Sequence, residues 1–177
     1  MCIIVEKIGY VMRIKRFGVL GGSLLFLLML LLSACVQPQP SKTQSALIIW
    51  KSPSFRYADM GFISDSGKRL KAEIYGSGSA LMRLKIDGDS ICMSRFNCMS
   101  KKRFNQELLS AYYPGDTLEN IFRGKPLFGG EALTQKRNGF TQNIKKHRAY
   151  QIEYSVLNKQ TVFRDTINQI VIKVIKQ

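Results

Sequence analysis

The chain has 177 residues, with 27 Lys+Arg against 12 Asp+Glu and a net charge of +15. That length holds one ordinary domain plus an appendage and argues against two full-sized domains. Hydrophobic content of 45% and charged content of 22% argue against wholesale disorder. Four cysteines and one histidine leave little for a structural zinc site, which takes four such ligands.

From Phe17 to Ser41 no residue is charged, and Leu24–Leu32 reads LLFLLMLLL just after Arg13, Lys15 and Arg16. A basic segment followed by an apolar one is the pattern of a secretory signal. It ends in Leu32-Ser33-Ala34-Cys35, which resembles a bacterial lipobox. There small residues fit a peptidase cleft, and the thiol of the following cysteine accepts the lipid. Residues 1–34 therefore read as a signal peptide, with the true start at Met1 or Met12, and Cys35 reads as the lipidated first residue. Phe17–Val36 is also long enough to span a bilayer uncleaved, but an anchor of that kind has no reason to finish in this tetrapeptide. Val36, where an Asp favours inner-membrane retention in enteric bacteria, permits passage to the outer membrane. Removing residues 1–34 takes away Lys7, Arg13, Lys15, Arg16 and Glu6, so the +15 of the whole chain falls to +12.

Residues 35–45, polar and proline-bearing after the cysteine, read as a flexible tether, and 46–177 as a single domain. Strand signals open that domain at Ala46–Trp50 and Phe55–Ile63, followed by the turn cluster Ser64-Asp65-Ser66-Gly67. Arg69–Tyr75 alternates, with Leu70, Ala72 and Ile74 on one face. After Gly76-Ser77-Gly78-Ser79 the alternation resumes as Met82, Leu84 and Ile86. Asp87-Gly88 closes that hairpin, and Ser90–Met93 begins the next strand.

The middle is helical. Lys101–Tyr113 carries Phe104, Leu108 and Tyr112 at helical spacing, with Ser100 as N-cap and Pro114 as terminator. Asp116-x-x-Glu119 is a capping-box variant that opens a second helix ending at Gly124. Strands return at Gln151–Val156 and at Ile170, Ile172 and Val174. Strands, two helices and strands again describe a mainly β protein: a curved antiparallel sheet with helices packed on its concave side.

Cys92 and Cys98 flank five residues. An oxidising compartment allows a disulfide between them, and the other reading is two reduced, buried cysteines. Lys101, Lys102 and Arg103 start the first helix, against its dipole, and Lys145, Lys146, His147 and Arg148 form a second basic cluster. Either cluster is a solvated face or a surface for an acidic partner. Export removes nucleic acid as the partner of so basic a chain, leaving anionic lipid or an acidic carrier. Trp50, Tyr112 and Tyr113 read as ligand-stacking groups or as core filling. The chain has no Gly-rich phosphate loop, no HExxH and no GxSxG, so no enzyme, cofactor or metal is expected.

The layout from about Trp50 to Ile175 resembles the LolB family of outer-membrane lipoprotein receptors, which take lipoproteins from the periplasmic carrier LolA. Phe55–Ile63 looks like the family's first long strand, with Gly61 where the family has a glycine. Arg69–Ile86 looks like its following hairpin, Pro114–Leu127 like its inner helix and Asn168–Val174 like its closing strand. The resemblance implies an unclosed β-barrel (the LolA/LolB-like fold) with an apolar cavity for acyl chains, to which Leu70, Ile74, Leu84 and Ile86 contribute if their face is the concave one. It implies a role in lipoprotein localisation, with a LolA-like carrier and acyl chains as partners. One departure is visible. The family's projecting, leucine-tipped loop corresponds here to the short, acidic Asp87-Gly88-Asp89-Ser90.

Overall fold

A computed structural model describes residues 41–94 and 96–177. The signal segment, Met12, Cys35 and Val36 lie outside the described residues. The described residues of the unit Gln39–Gln177 contain eleven strands, two α-helices and one 3-10 turn.

The strands are β1 (Lys42–Lys51), β2 (Arg56–Asp65), β3 (Arg69–Gly76), β4 (Ser79–Asp87), β5 (Ser90–Met93) and β6 (Phe96–Ser100), followed after the helices by β7 (Leu133–Lys136), β8 (Gly139–Lys146), β9 (Tyr150–Leu157), β10 (Gln160–Asp165) and β11 (Ile170–Lys176). They form one sheet in the order β6-β5-β4-β3-β2-β1-β11-β10-β9-β8-β7, with every pairing antiparallel. The edges β6 and β7 do not pair, so the sheet is not closed. Two meanders, one before the helices and one after, are joined when the last strand returns beside the first.

Alternation decides the two faces. Ala46, Ile48 and Trp50 of β1, Leu70, Ala72 and Ile74 of β3, Met82, Leu84 and Ile86 of β4, and Ile170, Ile172 and Val174 of β11 are all at most 1% exposed. The intervening residues point outward, as a sheet buried on one side requires. Helices α1 (Lys101–Leu108) and α2 (Thr117–Arg123) cover the inner face with Phe104, Leu108, Leu118, Ile121 and Phe122, and Phe122 lies 6.0 Å from Trp50, ring to ring.

The covering chain also bridges the two meanders. Lys101 N–H donates to Asp89 O at the β4–β5 turn (2.8 Å), Asn105 Nδ2 donates to Tyr113 O (3.3 Å), and the Tyr113 hydroxyl donates to Asp165 on β10.

Three local expectations are corrected. β1 begins at Lys42, inside the segment read as tether, because Lys42–Ser45 pair in register with Phe62–Asp65 and Thr43 shares a hydroxyl contact with Ser64 (2.8 Å). The first helix stops at Leu108 rather than Tyr113, and Asn105 ties the non-helical Tyr113 and Pro114 carbonyls back to it. Asp116 precedes α2, but its side chain does not cap it; the carboxylate accepts from Asn120 Nδ2 (2.8 Å) instead. Ser100 does cap α1, accepting from Arg103 N–H, and Gly124 ends α2 at a φ of 71°, a left-handed conformation that suits glycine.

Candidate functional site

The four residues expected at an acyl cavity share the inner face. Leu70 pairs with Ile86, and Ala72 between Leu70 and Ile74 pairs with Leu84. Each of Leu70, Ile74, Leu84 and Ile86 is at most 1% exposed and belongs to the one core cluster that includes both helices. Alternation alone left their face open, and the structure turns it toward the helical cover. Ile74, Leu84 and Ile86 line none of the three surface cavities of about 500, 580 and 260 Å³, and Leu70 borders only the last.

The cover is tied down by polar groups that the hydrophobic pattern did not reveal. Gln142, on the inner face of β8 and 1% exposed, accepts from Leu127 N–H (2.8 Å) and donates to Leu127 O and Glu131 O (3.0 and 2.7 Å). Asp165 on β10, equally buried, accepts from the backbone N–H groups of Gln151, Ile167 and Asn168, from Asn168 Nδ2 and from the Tyr113 hydroxyl. Burial and the neighbouring Asp165 carboxylate push the Tyr113 phenol far above its ordinary range. Burial does the same to Tyr154, whose hydroxyl donates to Lys125 O (3.0 Å). Both phenols stay neutral donors at neutral pH. Around α2, Trp50 Nε1, Thr117 Oγ1 and Arg123 Nε are buried without a protein hydrogen-bond partner, as is Asn105 Oδ1 on α1. Trp50 and Tyr113 are core residues, 0% and 5% exposed, whereas Tyr112 is 59% exposed.

The basic clusters divide. Lys101 is not a free cation: its ammonium bonds Glu119 on α2 at 2.5 Å with both side chains mostly buried, which offsets the unfavourable charge at the α1 N-terminus. Arg103 pairs with Glu107 one turn on (2.6 Å), and Lys102 is exposed. Lys145, Lys146, His147 and Arg148 are all exposed at the β8–β9 turn, where the Lys146 ammonium lies 5.4 Å from the Tyr112 ring centroid. Cys92 and Cys98, on β5 and β6 where the pairing of the two strands shifts register, form a disulfide that pins the edge hairpin. Asp87-Gly88-Asp89-Ser90 is a tight turn between β4 and β5, not a projecting loop.

Among the described residues, no group of three or more His, Cys, Asp or Glu is placed to hold a metal ion, and no helix is long and apolar enough to cross a membrane. No family model and no curated protein matches this chain.

Proposed function

We propose that this chain is a lipid-anchored, non-catalytic protein of the bacterial envelope that accepts acyl chains, free or carried by a lipidated protein, beneath the helical cover of its open sheet. In this reading it acts in lipoprotein localisation, anchored through Cys35 to the outer membrane and facing the periplasm. One observation carries it. A broad apolar sheet face is closed not by a second sheet but by two helices of eight and seven residues and their connections. Lifting such a cover exposes Leu70, Ile74, Leu84 and Ile86 as one continuous apolar surface of the kind that suits lipid ligands. The unpartnered polar atoms of Trp50 and Thr117 beside α2 offer contacts for a polar end of the ligand. Exposed Lys102, Lys145, Lys146 and Arg148 suit an acidic, LolA-like carrier.

The test is conditional depletion followed by fractionation of the cell's other lipoproteins, paired with titration of the purified chain by a fluorescent fatty acid. The reading expects lipoproteins to accumulate in the periplasm or inner membrane and the fatty acid to bind saturably. Normal localisation together with no binding removes it.

A second reading has its own observation. The inner face is filled, with the four candidate residues at most 1% exposed, as in an interaction module that uses the fold as a packed anchor for an envelope assembly. Absence of fatty-acid binding, with loss of a specific envelope partner on depletion, selects it.

A further inference from the structure

The outward face of the sheet carries a row of cations that the acyl-binding reading does not use. Arg56 on β2 is directly opposite Lys51 on β1, Lys51 is opposite Val171 on β11, and Val171 is opposite Arg164 on β10. All four point away from the core, since the neighbouring Trp50, Ile170, Ile172 and Phe163 are fully buried. They line one open cavity of about 500 Å³, together with Ser52 and Thr166. Successive strands lie about 4.8 Å apart, which places Lys51 and Arg56 about 5 Å apart at the backbone and Arg164 about 10 Å from Lys51.

Like charges directly opposite each other in a sheet are destabilising, and a purely structural surface places an acid between them. None of the ion pairs among the described residues involves Lys51, Arg56 or Arg164, whereas Arg69, Lys71, Arg83 and Lys85 farther along the same face each have an acidic partner. Two carboxylates lie nearby. Asp165 lines the cavity but both its oxygens are taken by protein donors. Glu153 is opposite Arg164 in register and forms no ion pair with it. Three cations against Asp165 leave the cavity with a formal charge of +2.

We propose that Lys51, Arg56 and Arg164 form a binding site for a diphosphate-type group. The cations rise from backbone positions about 5 and 10 Å apart, a spacing that two linked phosphates match without the side chains having to bend toward one point. Two linked phosphates above Val171 place one between Lys51 and Arg56 and the other at Arg164. Guanidinium forks match phosphate oxygens bidentately, and the lysine adds a point charge. The same chemistry has two sources: a soluble diphosphate or the phosphorylated headgroup of a lipid. The site is independent of what binds under the helices.

The test titrates the full chain, in neutral detergent micelles, with inorganic pyrophosphate by calorimetry. The expected result is salt-sensitive binding at one site, weakened at least about 30-fold in the triple variant Lys51→Ala, Arg56→Ala, Arg164→Ala. The double variant Lys71→Ala, Arg83→Ala, which removes cations held by Glu73, is expected to stay within about twofold. Thermal melting shows the triple variant to be folded, with a midpoint no lower than that of the unaltered chain, since the opposed like charges are gone. Doping the micelles with diacylglycerol pyrophosphate, a lipid whose headgroup is itself a diphosphate, separates the sources. Competition with pyrophosphate assigns a lipid headgroup, and no competition assigns a soluble diphosphate. The proposal is overturned if pyrophosphate does not bind, if both variants lose binding equally, or if polyglutamate binds at these residues where pyrophosphate does not.

Discussion

Gly61 is where β2 and β3 come closest, and replacing it with alanine tests the register on which the inner face depends. Gly61 is buried opposite Ile74, and a Cβ built there falls 1.9 Å from Glu73 O, 3.0 Å from Glu73 C and 3.2 Å from Ile74 Cα. All three are backbone atoms of β3, so no rotamer change relieves the contact. Restoring an ordinary separation moves β3 outward by somewhat more than 1 Å, which stretches the local ladder bonds from about 2.9 Å past hydrogen-bonding range. Overpacking costs about 1–3 kcal/mol, and two lost ladder bonds add about 1 kcal/mol each. A total of about 3–5 kcal/mol is a large fraction of the 5–15 kcal/mol typical of a domain. With unfolding entropy of about 0.3 kcal/mol per kelvin for a unit of this size, the midpoint falls by about 10–17 °C. The assay is thermal unfolding followed by circular dichroism, with Gly67→Ala as comparison. Gly67 has a φ of +80° and nothing within 4 Å of the added carbon, so its alanine variant suffers only backbone strain of about 1–2 kcal/mol. If Gly61→Ala melts within about 3 °C of the unaltered chain, or above Gly67→Ala, the close approach of β2 and β3 is wrong.

Replacing both Cys92 and Cys98 with serine opens a ring of sequence separation 6, for which loop-closure entropy gives about 2 kcal/mol; reductant is expected to lower the midpoint of the unaltered chain by the same amount and leave the variant unmoved. Asp165→Ala strands buried donors at Gln151, Asn168 and Tyr113 and is expected to cost at least about 3 kcal/mol, with Tyr113→Phe adding little on top because both belong to one network; additive losses in a double-mutant cycle would separate them. Glu73, in an outward ion pair with Lys71 and Arg83, is held below its ordinary value of 4.5 chiefly by the Lys71 hydrogen bond, against the opposing effect of burial. Its native value being depressed, its stabilisation is fully present above pH 4.5 and is lost as pH falls through the native value. Denaturant midpoints measured across that window should therefore fall less steeply for Glu73→Gln than for the unaltered chain, and parallel curves would show that Glu73 contributes nothing.

The contrast between legible and illegible strands has a simple physical basis. β3, β4 and β11 announce themselves because every inner position is apolar: Leu70, Ala72, Ile74; Met82, Leu84, Ile86; Ile170, Ile172, Val174. β8 and β10 were not anticipated, because their inner faces include Gln142 in one and Thr161 and Asp165 in the other. Gln142 and Asp165 sit in the core because they hold the covering chain, and together with Thr161 they erase the period-two pattern. The helix following Ser100 was readable at its start, where a local side chain caps it. Its end at Leu108 was not, because Asn105 makes a bond to a carbonyl eight residues on.

The candidate site divides in the same way. Chain order, local alternation and composition were sufficient to place Leu70, Ile74, Leu84 and Ile86 on one face, to mark Cys92 and Cys98 as possible partners, and to assign a mainly β architecture with a helical middle. Such features depend on neighbours a few residues apart, and that information lies within a short window. Tertiary structure alone decided which face is covered, that Lys101 is spent on Glu119, and that Arg56, Lys51 and Arg164 come together. Arg56 and Arg164 lie 5 and 113 positions from Lys51 in the chain but only one and two strand spacings from it in the sheet. The return of β11 beside β1 creates that neighbourhood, and strand pairing at such a distance is chosen by the burial of the whole inner face, not by any local run of residues.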